Sequence, residues 1–303
     1  MKIAVLGPGG VGGLLAGALA RSGNEVLVVA REATAARIAE RGLHLSSISL
    51  GDFVAHPRAV TRLQEPVEAL IVATKAAGLG PALERVASEP ALVLPLLNGL
   101  DHLALLRERF LPGTVLAGSI RVEADRPEPG VVVHTSPFLL VSMASADPAA
   151  GPGMRRLAQV LEDAGVPAQV LDSEAQVMWS KLVRLNALAC TTSAYDKLLG
   201  EIRATPELRA DLLAAIGEAC AVARAEGAPD VDPDVAIGEL ERAHDTLGSS
   251  MQRDIAAGRV PELDAIPGAV LRAGARHGLR SPTIERLVAM IAERAGIDAP
   301  IPR

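Results

Sequence analysis

Aromatic residues are scarce: one Trp, one Tyr and three Phe make up 2% of 303 residues. The core must therefore be built mostly from Ala, Leu and Val. Cysteine is nearly absent. Cys190 and Cys220 make neither a disulfide framework nor a metal-ligand spacing, which suits a reducing cytoplasm. The six histidines are scattered with no pair at ligand spacing, so no metal site is expected. No dense basic run offsets the net charge of −6, which argues against a nucleic-acid partner. No stretch of 18 uninterrupted apolar residues exists, so no membrane span is expected. Internal repeats and low-complexity segments are also missing. What remains is a globular composition, 49% hydrophobic and 22% charged, long enough for two domains.

The chain is organised around its opening. An apolar strand over Lys2 to Leu6 leads into Gly7-Pro8-Gly9-Gly10-Val11-Gly12, then a helix from about Val11 to Ser22 with Gly23 as stop signal. A second strand follows over Glu25 to Val29. In this order Gly7, Gly9 and Gly12 fit the G-x-G-x-x-G fingerprint of a dinucleotide site. Gly7 allows the tight turn, Gly9 lets the backbone approach a pyrophosphate, and Gly12 permits close helix packing. The pyrophosphate would sit at the helix N-terminus, where unpaired N–H groups favour an anion. A secretory signal peptide is the competing reading of this stretch. Pro8 and the glycines interrupt its apolar run, and the second strand completes a β-α-β unit.

The second strand ends Val28-Val29-Ala30-Arg31. NAD sites usually place Asp or Glu there for the ribose hydroxyls, whereas the planar fork of Arg31 suits a 2′-phosphate. The cofactor expected is NADP, although Glu32 stands beside the arginine.

Farther along, Ala33 to Arg41 reads as a helix and Gly42 to Pro57 as short strands and turns. Buried-strand runs over Glu68 to Thr74 and Ala91 to Leu97 end in Lys75 and in Asn98-Gly99. Carboxyl ends of parallel strands are where ligands bind, so Lys75 and Asn98 are candidate site residues. An Asn-Gly turn and a solvated helix start are the plain alternatives. Thr114 to Val122, Gly130 to Thr135 and Phe138 to Ser142 suggest antiparallel strands extending the sheet, with Asp125 to Gly130 as turn. A helix over Gly153 to Ala164 and a strand over Ala168 to Leu171 bring the first domain to a close near Asp172.

Beyond that point the pattern is helical. Runs over Glu174 to Thr192, Pro206 to Glu226, Asp234 to Ala256, Pro261 to His277 and Pro282 to Ala295 are punctuated by Gly and Pro. The fold expected is α/β: an N-terminal Rossmann-type dinucleotide-binding domain, residues 1–172, and an all-helical C-terminal domain, residues 173–303. A substrate cleft between them is the expectation. The apolar C-terminal helices allow either packing within one subunit or a homodimer.

Two stretches of the helical half are distinctive: Trp179-Ser180-Lys181, and Ser249-Ser250-Met251-Gln252-Arg253-Asp254 followed by Glu262-Leu263-Asp264-Ala265-Ile266-Pro267-Gly268. With the glycine motif, Lys75 and Asn98-Gly99, they occur in an order that resembles the ketopantoate reductase (2-dehydropantoate 2-reductase) family over almost the whole chain. The resemblance implies NADPH-dependent reduction of a small 2-keto acid to the 2-hydroxy acid, in pantothenate and coenzyme A biosynthesis. It makes Lys181 the general acid and Glu262 its support. Asn98 and Ser250 are implied to hold substrate, and Lys75 lies beside the nicotinamide and ribose, where Asn98 also meets the cofactor. That chemistry is sensible, because hydride delivery to a carbonyl builds negative charge on oxygen that a positioned ammonium neutralises.

Spacing separates Ser250 from Glu262. Gly258 reads as a helix C′ position and Pro261 as a first-turn residue, so Glu262 should begin a new helix. A first-turn acid favoured by the helix dipole is the plainer reading of Glu262, and packing that of Ser249-Ser250.

Two positions depart from the family pattern. Leu185 stands where the family commonly has Asn, four residues after the catalytic Lys. Asn186, one place later and the candidate substrate amide, points roughly 140° away from Lys181 unless a π-bulge intervenes. Leu97 replaces a frequent Gln. Both changes predict a more apolar pocket, so a related NADP-dependent reductase of another small 2-keto or 3-hydroxy acid is the second reading. A dinucleotide sensor without turnover is the third, and it would not need Lys181 with Glu262.

Overall fold

The computed structural model describes residues 1–300 as two compact units. The first comprises Met1–Leu97 and His102–Val177; the second comprises Asn98–Asp101 and the chain from Met178 onward.

The first unit contains β1 (Lys2–Leu6), α1 (Gly10–Arg21), β2 (Glu25–Val29), α2 (Glu32–Arg41), β3 (Leu43–Ser47), β4 (Phe53–Ala55), β5 (Arg58–Val60), β6 (Ala69–Val72), α3 (Leu79–Leu83) and β7 (Val93–Pro95). It continues with α4 (His102–Arg109), β8 (Ala117–Arg121), β9 (Ala124–Glu128), β10 (Val131–His134), β11 (Leu140–Ala144), α5 (Gly151–Asp163) and β12 (Ala168–Val170). Its parallel sheet has the order β5-β2-β1-β6-β7. Side chains alternate across it. Ile3 and Val5 enter one apolar cluster with Val28 and Ile71, while Ala4 and Leu6 enter the other with Val29 and Val72. Burial on both faces explains why these strands read as continuous apolar runs.

The remaining strands do not extend that sheet, contrary to the expectation from sequence. β8 and β11 are antiparallel, but in a three-stranded sheet ordered β12-β11-β8. β10 pairs in parallel with β3 in a four-stranded sheet, β4-β3-β10-β9. Most of the stretch read as a turn is β9, an edge strand whose Pro127 is tolerated because an edge needs fewer ladder donors. Helix α1 lies buried against this second sheet. A Cβ on Gly10 would collide with the carbonyl of Ala124, on Gly13 with Val132, and on Gly17 with Leu45. These glycines share one helix face and allow that approach.

The second unit takes up α6 (Glu174–Tyr195) at Met178, inside the helix. The helix's first turn stays with the first unit because Arg107 Nη2 donates to both Glu174 carboxylate oxygens at 2.7 and 2.8 Å, and Ala146 N donates to Oε1 at 3.0 Å. Next come α7 (Leu199–Ala204), α8 (Pro206–Ala225), α9 (Pro233–Arg242), α10 (Ser250–Ala256), α11 (Ala269–Arg276) and α12 (Pro282–Ala295). The run expected as one helix over Asp234 to Ala256 is two, because Ala243 turns extended and Ser249 caps a new start. Gly258 has φ +65°, and the bonds from Arg259 N to Asp254 O and Gly258 N to Ile255 O form the Schellman motif its C′ position implied. No helix among the described residues is long and apolar enough to cross a membrane.

Candidate active site

In the first unit the strand order reverses between β1 and β6, and the crevice at the carboxyl ends of such strands is where doubly wound sheets bind ligands. The turn after β1 is built for close approach. Gly7 has φ +91°, donates to Val29 O at 3.2 Å, and accepts from Gly9 N at 2.8 Å. A Cβ there would lie 2.7 Å from Thr74 Cγ2, and one on Gly12 would strike the Gly7 carbonyl. Gly9, by contrast, has no heavy atom within 4 Å of where its Cβ would be. It is the N-cap of α1, with no side-chain cap and no acid in the first turn. Pro8 lies in the loop, and Gly10, Val11 and Gly12 form the first turn of α1. Open backbone N–H groups at a helix start fit a dinucleotide pyrophosphate.

Arg31 is exposed at the extended N-cap of α2. The ambiguous neighbour, Glu32, is engaged elsewhere. Its own backbone N–H and then Arg85, 3.3 Å away, hold its carboxyl below the ordinary range. An exposed guanidinium just past the carboxyl end of β2, with the neighbouring acid engaged, is chemically suited to a ribose 2′-phosphate and so fits NADP. Lys75 is exposed at the cap of a single 3₁₀ turn, Ala76–Gly78. Thr74, which sequence reasoning did not single out as a site residue, lies against the Gly7 turn with its Oγ1 buried and unpartnered.

In the second unit three of the expected residues come together. Lys181, two residues past the buried Trp179 on α6, donates from Nζ to Asn98 Oδ1 at 2.9 Å. Asn98 Nδ2 donates to Glu262 Oε2 at 3.0 Å. The amide orientation follows from its neighbours, since an ammonium only donates and a carboxylate only accepts. The arrangement is a bridged chain of ammonium, amide and carboxylate, able to hold a proton donor in place.

The backbone explains how Asn98 gets there. The positive φ of the Asn98-Gly99 turn belongs to Gly99, at +88°, and not to Asn98. Asparagine is therefore not required at 98 by its tolerance of positive φ. A Cβ on Gly99 would collide with the carbonyl of Ala265. Glu262 precedes a π-helical turn, Asp264–Gly268, that runs directly into α11 rather than starting a regular α-helix. Pro267 within it lacks an N–H, and Gly268 N reaches back to Leu263 O at 3.1 Å.

Arg272 on α11 was not foreseen, although its spacing of eight residues from Asp264 puts both near one helix face. It donates to Asp264 Oδ1 at 2.6 Å, Asp264 O at 2.9 Å and Asp101 Oδ2 at 2.5 Å. Burial would lower its pKa, but the two carboxylates raise it.

Other expected residues lie apart from this chain of bonds. Ser250, at the first position of α10, is exposed. Its neighbour Ser249 is the buried cap, accepting from Gln252 N at 3.0 Å and Thr192 Oγ1 at 2.9 Å. Asn186 is fully buried, accepts from Cys190 Sγ at 3.6 Å, and leaves Nδ2 unpartnered. α6 is α-helical throughout, without the π-bulge that could have turned Asn186 toward Lys181. Leu97 packs in the apolar core beneath the parallel sheet, at 4% exposure, which places it in core packing and not in a pocket lining.

The family model for "Ketopantoate reductase PanE/ApbA" matches residues 3–143, and that for its C-terminal domain matches residues 175–295. The uncharacterized oxidoreductase YkpB of Bacillus subtilis is 30% identical over 300 residues, spanning 95% of this chain and 97% of that protein. A 2-dehydropantoate 2-reductase of Mycobacterium tuberculosis (strain H37Rv) is 30% identical over 311 residues, with 98% of each chain covered. A D-mandelate dehydrogenase solved with NADH superposes with a TM-score of 0.85 at 25% identity, covering 98% of this chain and 100% of that one. With family models matched along both halves, the chain belongs to the ketopantoate reductase family, as an NADP-dependent oxidoreductase.

Proposed function

We propose that this protein reduces 2-dehydropantoate to pantoate with NADPH, a step of pantothenate and coenzyme A biosynthesis. The bridged Lys181–Asn98–Glu262 chain carries the reading, because it supplies a held proton donor of the kind carbonyl reduction needs. NADPH, when bound, supplies the hydride that adds to the C2 carbonyl carbon. Lys181 gives its proton to the oxygen as that bond forms, and Glu262 stabilises the ammonium through the Asn98 amide. Ser250 offers its exposed hydroxyl to the substrate carboxylate, and Lys75 attends the nicotinamide and ribose end of the cofactor. Cys190 and Cys220 are buried free thiols, which supports a reducing, cytoplasmic setting.

A second reading, reduction of a different small 2-keto acid, is favoured by Leu185 in place of the family amide and by the solved relative named D-mandelate dehydrogenase. Leu97 gives it no weight, since that side chain is core.

NADPH oxidation followed by absorbance against a panel of 2-keto acids tests both. A kcat/KM highest for 2-dehydropantoate supports the first reading. Turnover of a bulkier apolar keto acid with none of 2-dehydropantoate replaces it with the second. Lys181→Ala should lower kcat by two or more orders of magnitude, about the contribution of a positioned acid, and unchanged turnover would remove the assigned donor.

A further inference from the structure

We infer that Arg272 is a positioning residue for proton delivery, fixing the Asn98 amide by binding Asp101 and Asp264 at once. The inference rests on the roles proposed for Lys181 and Glu262. Asn98 lies on a four-residue segment, Asn98–Asp101, and Glu262 lies two residues before Asp264. Asn98 and Glu262 themselves lie outside regular secondary structure, shortly before α4 and before the π-helical turn respectively. One guanidinium joins the two segments: Arg272 Nη2 donates to Asp101 Oδ2 at 2.5 Å and to the Asp264 carbonyl at 2.9 Å, while Nη1 donates to Asp264 Oδ1 at 2.6 Å.

The surroundings favour that pairing. The Arg272 side chain is 19% exposed, while the Asp101 and Asp264 carboxylates it bridges are 53% and 76% exposed, so the arginine is the more fixed member of the pairing. Gly268 leaves room for the bridge, since a Cβ there would lie 3.2 Å from both Arg272 Nη1 and Asp264 Oδ1. The planar fork lets a single residue hold two partners at fixed angles, which a lysine ammonium on its flexible stem does less well. Gly99 pressed on the Ala265 carbonyl sets the contact between the segments, and Arg272 closes it one step farther out. Asn98 then meets Lys181 on one side and Glu262 on the other. A loose amide would let the ammonium swing off the line to the carbonyl oxygen, and catalysis is sensitive to such displacement.

The test uses the full-length enzyme and the best keto acid from the panel, with thermal melting as a check on folding. Arg272→Met, Arg272→Lys and Asp101→Asn are each made in the wild-type and Asn98→Ala backgrounds. In the wild-type background Arg272→Met should lower kcat about tenfold or more, Asp101→Asn less so, with Arg272→Lys recovering part of the loss. The dissociation constant for NADPH should not move. The solvent deuterium isotope effect on kcat should rise, since proton transfer becomes slower. In the Asn98→Ala background the same changes should cost nothing further, because the residue they act through is gone. Equal losses in both backgrounds, or an unchanged isotope effect, would make Arg272 a structural residue only and overturn the inference. If Arg272→Met fails to fold, the milder Asp101→Asn carries the same comparison. A wild-type enzyme that turns over no keto acid would instead defeat the proposed reaction.

Discussion

Asn98 and Glu262, 164 residues apart in sequence, are joined by an amide-to-carboxylate hydrogen bond of 3.0 Å. The other end of the same amide accepts from Lys181, so neither half of the side chain is spare. Asn98→Ala should therefore lower kcat by about 100-fold, within the range set by a mispositioned general acid. Binding of NADPH, measured by fluorescence titration, should be nearly unchanged. A large loss of NADPH affinity with normal kcat would return Asn98 to a cofactor role.

Gly99 tests the backbone beneath that contact. Alanine there meets two objections, a φ of +88° and the Ala265 carbonyl lying where its Cβ would go. Strain of this kind costs about 1–3 kcal/mol. Gly99→Ala should depress the melting temperature and reduce kcat together, whereas a substitution at the unobstructed Gly258, itself at positive φ, should affect stability alone. Equal kcat for the two variants would separate the turn from the chemistry.

Much of this was legible in the chain itself, and the limits have physical causes. The strand–glycine–helix–strand opening and α12 need only local pattern, so they could be read almost to the residue. β9 could not: Ala124-Asp125-Arg126-Pro127-Glu128 has turn composition, and only pairing with β10 makes it a strand. The packing role of Gly10, Gly13 and Gly17 could not be read from sequence, because their neighbours, from Leu45 to Val132, are remote in the chain. Lys181 and Glu262 came from the family resemblance and Asn98 from its place at the end of a buried strand, but no spacing rule could say that the amide sits between the other two. Arg272 was hidden for the same reason, since an arginine on an amphipathic helix carries no mark of what it binds.

If Arg31 meets the 2′-phosphate, replacing it should change the choice between the two nicotinamide cofactors. A charged hydrogen bond contributes about 1.5–3 kcal/mol, so Arg31→Ala should raise KM for NADPH by roughly 10- to 100-fold. KM for NADH, which has no 2′-phosphate, should hardly change. Because Arg85 draws Glu32 aside, Arg85→Ala should free that carboxylate and narrow the preference further. Parallel loss with both cofactors in Arg31→Ala would mean the arginine supports the fold and not the phosphate.

His134 predicts how the first unit responds to acid. It is 2% exposed, Ser47 Oγ lies 2.8 Å from Nδ1, and Ser136 Oγ lies 3.2 Å from Nε2. Ser136 Oγ spends its hydrogen on Phe138 O, so it accepts from Nε2–H, and Nδ1 must accept from Ser47. The neutral ring is satisfied at both nitrogens. Burial lowers the pKa of His134 below its ordinary 6.5, against the weaker raising effect of bonds with Phe138 and Ser136. As pH falls through about 6.5 the unfolded chain takes up a proton that the folded chain refuses, and stability is lost by at most about 1.4 kcal/mol per pH unit until the folded pKa is reached. Above that range His134 contributes no pH dependence. Melting temperatures measured from pH 8 to pH 5 should therefore fall toward acid in the wild type and more gently in His134→Gln, whatever that variant loses at neutral pH. Identical slopes would show that the ring is protonated in the folded chain as readily as in the unfolded one.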